Sequence, residues 1–107
     1  MKCWRVVIVG KAQRQWRSYY DWICVNYGRQ PADNVQADFR ATILDLIKTA
    51  GSRPLYNGEP IAAAMGYRRM NFVEGHHYFM LYRLVGDEAV VEYVAHFRRS
   101  VKRVLTE

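Results

Sequence analysis

Tyr78-Phe79-Met80-Leu81-Tyr82-Arg83-Leu84-Val85, then Gly86-Asp87-Glu88, then Ala89 through Phe97, is the stretch whose reading decides the fold. Tyr78, Met80, Tyr82 and Leu84 share one face of the first segment; Phe79, Leu81, Arg83 and Val85 share the other. Both faces are mostly apolar, so a strand over residues 77–85 is expected at the centre of its sheet rather than at an edge. Gly86-Asp87-Glu88 supplies hairpin chemistry, and residues 89–97 form the returning strand. Working upstream, residues 67–73 make a third strand, joined to the first by a turn at Glu74-Gly75-His76. Residues 52–66 hold Pro54, Gly58, Pro60 and Gly66 and read as a loop with room for one helical turn at 61–65. Working downstream, a short basic helix is expected at about residues 98–105.

The first half of the chain has a different period. Trp4-Arg5-Val6-Val7-Ile8-Val9 is short and β-branched, a buried strand ended by Gly10. From Lys11 onward Ala12, Trp16, Tyr19, Tyr20, Ile23 and Tyr27 fall at helical spacing until Gly28 stops the helix. Pro31 suits a first helical position and Asp33 a first turn. Val35, Phe39, Ile43, Leu46 and Ile47 then make one apolar stripe that ends at Gly51. About three residues separate the two helices, so they are expected to pack as an antiparallel hairpin, with Trp16, Tyr20 and Ile23 against Phe39, Ile43 and Leu46. The resulting class is α+β in the order β-α-α-β-β-β: an antiparallel sheet covered on one face by the hairpin, with a short C-terminal helix. It forms one domain over residues 1–107.

Half of the 107 residues are apolar and 14% are aromatic, which supports a packed core and excludes a disordered chain. No apolar run approaches the roughly 18 to 20 residues that span a bilayer, and the N-terminus lacks a signal-peptide apolar region, so a cytoplasmic chain with no membrane partner is expected. Cys3 and Cys24 are too few for a disulfide scaffold and read as two buried thiols. The net charge is +6, and twelve of the sixteen basic residues are arginine, which favours an anionic partner, either nucleic acid or an acidic protein surface.

Motifs for small-molecule chemistry are missing. There is no Gly-rich phosphate loop and no nucleophile elbow, and Gly66, Gly75 and Gly86 read as turn glycines, so no cofactor is implied. His76 and His77 beside Glu74 point to opposite sides of a strand and find no third ligand, so no metal site is expected. Asp33, Asp38 and Asp45 read as solvated helix surface, and Asp87 and Glu88 as turn residues. The arginines carry more information. Arg68 and Arg69 point to opposite faces of one strand, Arg83 ends the next, and Arg98, Arg99, Lys102 and Arg103 crowd the C-terminus just after His96. If the strand ends converge, these seven residues form a target- or nucleic-acid-binding patch near Tyr67, His77 and His96. Such a patch can bind phosphate and can support RNA cleavage. A basic helix laid over an apolar edge is the plainer alternative.

Taken in order, the chain resembles the RelE/ParE superfamily of toxins from type II toxin–antitoxin modules. The resemblance rests on the first strand and the aromatic helix at Trp16 to Trp22, and on the loop Arg53-Pro54-Leu55-Tyr56-Asn57-Gly58. It rests further on Tyr67-Arg68-Arg69-Met70-Asn71-Phe72, on residues 78–87, and on the ending Val94-Ala95-His96-Phe97-Arg98-Arg99. It implies a compact toxin neutralised by a cognate antitoxin protein. RelE-like members cut messenger RNA on the ribosome, ParE-like members poison DNA gyrase, and some members show no toxicity, which keeps a non-toxic basic module open. The RelE pattern places an arginine directly after the first tyrosine of the middle strand, where this chain has Phe79. It places a catalytic tyrosine near Leu105. Arg99 matches the arginine after the last strand, and His96 could serve as acid or base. His96 and Arg99 are therefore the catalytic candidates of a metal-independent nuclease, while the two apolar replacements favour the ParE-like reading.

Overall fold

The computed structural model describes residues 2–106. The β-branched opening forms β1 (Arg5–Ile8), and the two amphipathic segments form α1 (Gly10–Tyr27) and α2 (Arg29–Thr49), followed by a single 3-10 turn (Ala50–Ser52). A short helix α3 (Pro60–Met65) leads into the meander β2 (Arg68–Asn71), β3 (Tyr78–Val85) and β4 (Glu88–His96), and α4 (Val101–Thr106) follows. The sheet order is β1-β4-β3-β2, so β3 is central, as its two apolar faces imply. β3 runs antiparallel to both neighbours. The exception to the antiparallel expectation is β1, which runs parallel to β4 with Arg5 opposite Glu88 and Ile8 opposite Val91. A tight turn cannot join parallel neighbours: the helical hairpin and α3 carry the chain from β1 to the far edge at β2, and the meander returns it to β4.

The hairpin covers one face of the sheet. Trp16 of α1 stacks on Phe39 of α2 with ring centroids 4.9 Å apart and planes 6° from parallel. Ile23, Leu46, Met80, Tyr82, Val91 and Val94 are buried in the same cluster, with Tyr20 and Ile43 half-buried at its margin. The opposite face is also covered: Phe79, Leu81 and Ala95 pack beneath Ala62 of α3 and Val101 and Val104 of α4. Over residues 78–82 both faces of β3 are therefore covered, which explains why neither reads as polar.

Several expectations are corrected in detail. One residue, Gly28, separates the helices, because its φ of +100° lets the chain reverse there at little strain. α2 consequently starts two residues ahead of Pro31 and leaves Asp33 beyond the first turn. Asp33 instead accepts a hydrogen bond from the Tyr20 hydroxyl at 2.7 Å, and that bond is the main cause of a Tyr20 pKa pushed up to about 12. Asp38 is buried rather than solvated: its two carboxylate oxygens accept the backbone N–H groups of Glu74 and Gly75, each at 2.9 Å. Asp45 is half-buried against Arg53 at 3.2 Å. Glu88 belongs to β4 rather than to the turn and lies 3.7 Å from Arg5. Cys3 is exposed because it precedes the sheet, and Cys24 is only half-buried, so neither is the enclosed thiol expected.

Candidate interaction site

The hydrogen bonding around the end of β4 positions the C-terminal basic residues. After His96 the chain turns through residues 97–100, with the Arg99 N–H donating to the His96 carbonyl at 3.0 Å. Ser100 then receives the Arg103 N–H on its hydroxyl at 3.2 Å and starts α4. Arg98, Arg99 and Arg103 thereby line one shallow recess of about 470 Å3, and Lys102 is exposed on the same short helix. Four of the seven expected patch residues are thus neighbours in space as well as in sequence.

The other three stand apart. Arg68 lies on the hairpin face and donates to the Arg53 carbonyl. Arg69 lies on the opposite face, its guanidinium 4.0 Å from the centre of the Phe79 ring and its Nε donating to Asn71 Oδ1 at 3.0 Å. Arg83 is held by the Glu92 carboxylate and sits 5.1 Å from the Tyr67 ring, while the Tyr67 hydroxyl donates to Glu92 at 3.0 Å. Glu92 is the extra residue of a β-bulge: Leu81 faces Tyr93 whereas the next residue, Tyr82, faces Val91. The hydrogen bond to Glu92 raises the Arg83 pKa, and burial followed by the same carboxylate raises that of Tyr67. This triad is a structural tie across the sheet. Tyr67 therefore does not join His77 and His96, although those two do meet.

They meet at the mouth of a groove of about 1040 Å3 between α1 and the adjoining ends of β3 and β4. Its floor is Tyr19, Ile23, Val35 and Tyr78; Trp22, Tyr27 and Phe97 wall it; His77, His96 and Arg98 form one rim. Trp22 remains 54% exposed, Tyr27 66% and Phe97 43%, an aromatic surface left open to water. The His96 ring packs edge-on against Tyr78 at 5.2 Å, and its Nδ1 accepts the Arg98 N–H at 3.2 Å. Burial, then the charges of Arg98 and His77, lowers the His96 pKa, and because Nδ1 accepts the Arg98 N–H, Nε2 is the ring's donor. The aromatic walls were not anticipated from the sequence as a site. The available clue was that Trp22 lies outside the helical stripe that supplies the core. Among the described residues, no cluster of three histidine, cysteine, aspartate or glutamate side chains forms, and no helix is long and apolar enough to cross a membrane.

A chain from the solved structure titled the chromosomal ParDE TA system from P. aeruginosa superimposes on this one with a TM-score of 0.71, covering 88% of this chain and 96% of that one at 18% identity. The fold is ParE-like. No protein-family model matches the sequence, and neither does any curated protein. At this identity the ParE-like likeness extends to the course of the backbone, and the function has to be argued from the side chains.

Proposed function

We propose that this chain is the toxin subunit of a type II toxin–antitoxin pair, neutralised by an acidic antitoxin protein and directed at DNA gyrase rather than at messenger RNA. The observation that carries the choice of target is Phe79. It occupies the place where the RelE pattern calls for an arginine, and it is fully buried beneath Arg69 as part of the core. Leu105, near the place of the expected tyrosine, packs against the same cluster. Metal-independent RNA cleavage needs cations to stabilise the phosphorane-like charge and a paired general acid and base. Losing one such group typically costs about 100-fold in rate, and here two are replaced by packing residues. His96, which accepts the Arg98 N–H, has His77 beside it on the same rim, so the case against cleavage rests on the two apolar replacements.

The toxin–antitoxin reading is further supported by the groove. A small basic chain that leaves an aromatic groove open gains stability when a partner covers it. The cluster at Arg98, Arg99, Lys102 and Arg103 then faces the target. Induction is expected to arrest growth with DNA-damage signalling, and the arrest is relieved by a short acidic partner encoded in the adjacent reading frame. Arg98→Ala combined with Arg99→Ala should weaken the arrest while leaving the thermal melt nearly unchanged. Primer-extension mapping of transcripts after induction tests the reading: no new ends should appear within translated codons. Discrete cuts there, abolished by His96→Ala, would restore the nuclease.

A further inference from the structure

The C-terminal cations stand together with no carboxylate among them. Residues 93–106 hold Arg98, Arg99, Lys102 and Arg103 and no acidic residue, and no acidic side chain lines the recess. The ion pairs among the described residues engage Arg5, Arg29, Arg53 and Arg83; none engages Arg98, Lys102 or Arg103. The backbone beneath the cluster is fixed. His96 takes the Arg98 N–H on Nδ1 at 3.2 Å and the Arg99 N–H on its carbonyl at 3.0 Å. Ser100 takes the Arg103 N–H on its hydroxyl at 3.2 Å and the Val104 N–H on its carbonyl at 3.1 Å. Val101 and Val104 are buried in the cluster with Phe79 and Leu81, which pins α4 to the sheet and leaves Lys102 and Arg103 exposed. Folding has therefore already ordered the segment that carries these charges. Beside them Phe97 is 43% exposed, with the Arg98 guanidinium 5.7 Å from its ring centre.

We propose that this recess holds the phosphodiester backbone of DNA, so that the chain grips the DNA on which gyrase works in addition to the enzyme. The inference rests on the gyrase reading above and names the chemistry that the cluster meets there. Charge density selects phosphate over a protein carboxylate. Each DNA strand brings one charge about every 3.4 Å of helix axis, whereas an acidic protein surface intersperses its carboxylates with cations. A guanidinium fork takes two phosphate oxygens at once, and the Ser100 hydroxyl keeps its own proton to donate. Because α4 is six residues long and pinned along one side, it cannot enter a groove and read base edges, so binding should be independent of sequence. Phe97 offers a face on which an unpaired base can stack.

The test is fluorescence anisotropy of a labelled thymidine strand of about twelve nucleotides, titrated with the purified chain between about 50 and 300 mM salt. Engagement of three or four phosphates makes log K fall with log salt at a slope of about −2 to −3. Arg98→Gln and Arg103→Gln should each reduce that slope by about 0.7, while Arg40→Gln, an equal loss of charge on exposed α2, should leave it unchanged. Combining Arg98→Gln, Lys102→Gln and Arg103→Gln should weaken binding about 10-fold or more at the lowest salt without moving the thermal melt. Tighter binding of the single strand than of a duplex of equal length, lost in Phe97→Leu, would place an unpaired strand on the site. Equal binding of both, indifferent to Phe97→Leu, would place the backbone alone there, and either result supports the proposal. No binding at about 50 mM salt, or a slope reduced as much by Arg40→Gln as by Arg103→Gln, would overturn it. So would a polyglutamate peptide of equal charge bound as tightly, or a uridine oligoribonucleotide bound more tightly than the thymidine strand. Inhibition of supercoiling without binding to DNA removes the phosphate site alone; binding to DNA without inhibition removes the gyrase reading alone.

Discussion

Replacing Asp38 by alanine cuts the tie between the helical hairpin and the meander. Asp38 is 8% exposed, and its carboxylate takes both the Glu74 and the Gly75 N–H at 2.9 Å, across more than thirty residues of sequence. One turn further along α2, Thr42 accepts the Val73 N–H at 3.1 Å and donates to the Asp38 carbonyl at 2.7 Å, so two side chains of α2 hold three consecutive backbone groups. A hydrogen bond to a charged acceptor contributes about 1.5 to 3 kcal/mol net. Glu74 and Gly75 are exposed, so their N–H groups regain water once the carboxylate is gone, and the low end applies. Asp38→Ala should therefore cost about 2 to 4 kcal/mol, a large share of the roughly 5 to 15 kcal/mol that holds a domain together. Asp38→Asn keeps one acceptor but turns an amide N–H toward the other donor, so it should lie between wild type and alanine. Urea melts give the free energy, and amide exchange at Glu74 and Gly75 reports the tie itself. A loss below about 0.5 kcal/mol with unchanged exchange at both amides would show that Asp38 does not hold the meander to α2.

Phe39 stacks on Trp16 and lies 5.7 Å from Phe72, so Phe39→Ala should cost about 3 to 5 kcal/mol in the same melts; a change below about 1 kcal/mol would remove it from the core. His96 has a folded pKa below its unfolded value of 6.5, so as pH falls below that value the unfolded chain takes up the proton first and stability drops. Wild type should consequently lose more stability than His96→Gln between about pH 7 and pH 5, and parallel pH profiles would contradict the assigned burial of the ring.

The strand order of the meander was legible because its signals are local. Two apolar faces mark β3 as central, and Gly86, at φ +61°, marks the turn that fixes the register of β3 on β4. The parallel pairing of β1 with β4 was not legible, since it joins segments about eighty residues apart through backbone groups and the largely exposed Arg5–Glu88 pair. Asp38 was misread for the same reason: its partners are two amides, which leave no trace in side-chain pattern. Arg83 could have been placed correctly. Counting back from Gly86-Asp87 puts Arg83 and Glu92 on one face and near each other even before the bulge is known, which withdraws Arg83 from a free basic patch. Within the candidate site, the clustering of Arg98, Arg99, Lys102 and Arg103 follows from their spacing. The groove required knowing which aromatics of α1 the sheet leaves uncovered.

The target is tested most directly by titrating the purified chain into a gyrase supercoiling reaction. Supercoiled product should be lost at concentrations comparable to the enzyme, with the combined Arg98→Ala and Arg99→Ala variant markedly weaker. Full supercoiling at concentrations that arrest growth in cells would contradict gyrase as the target.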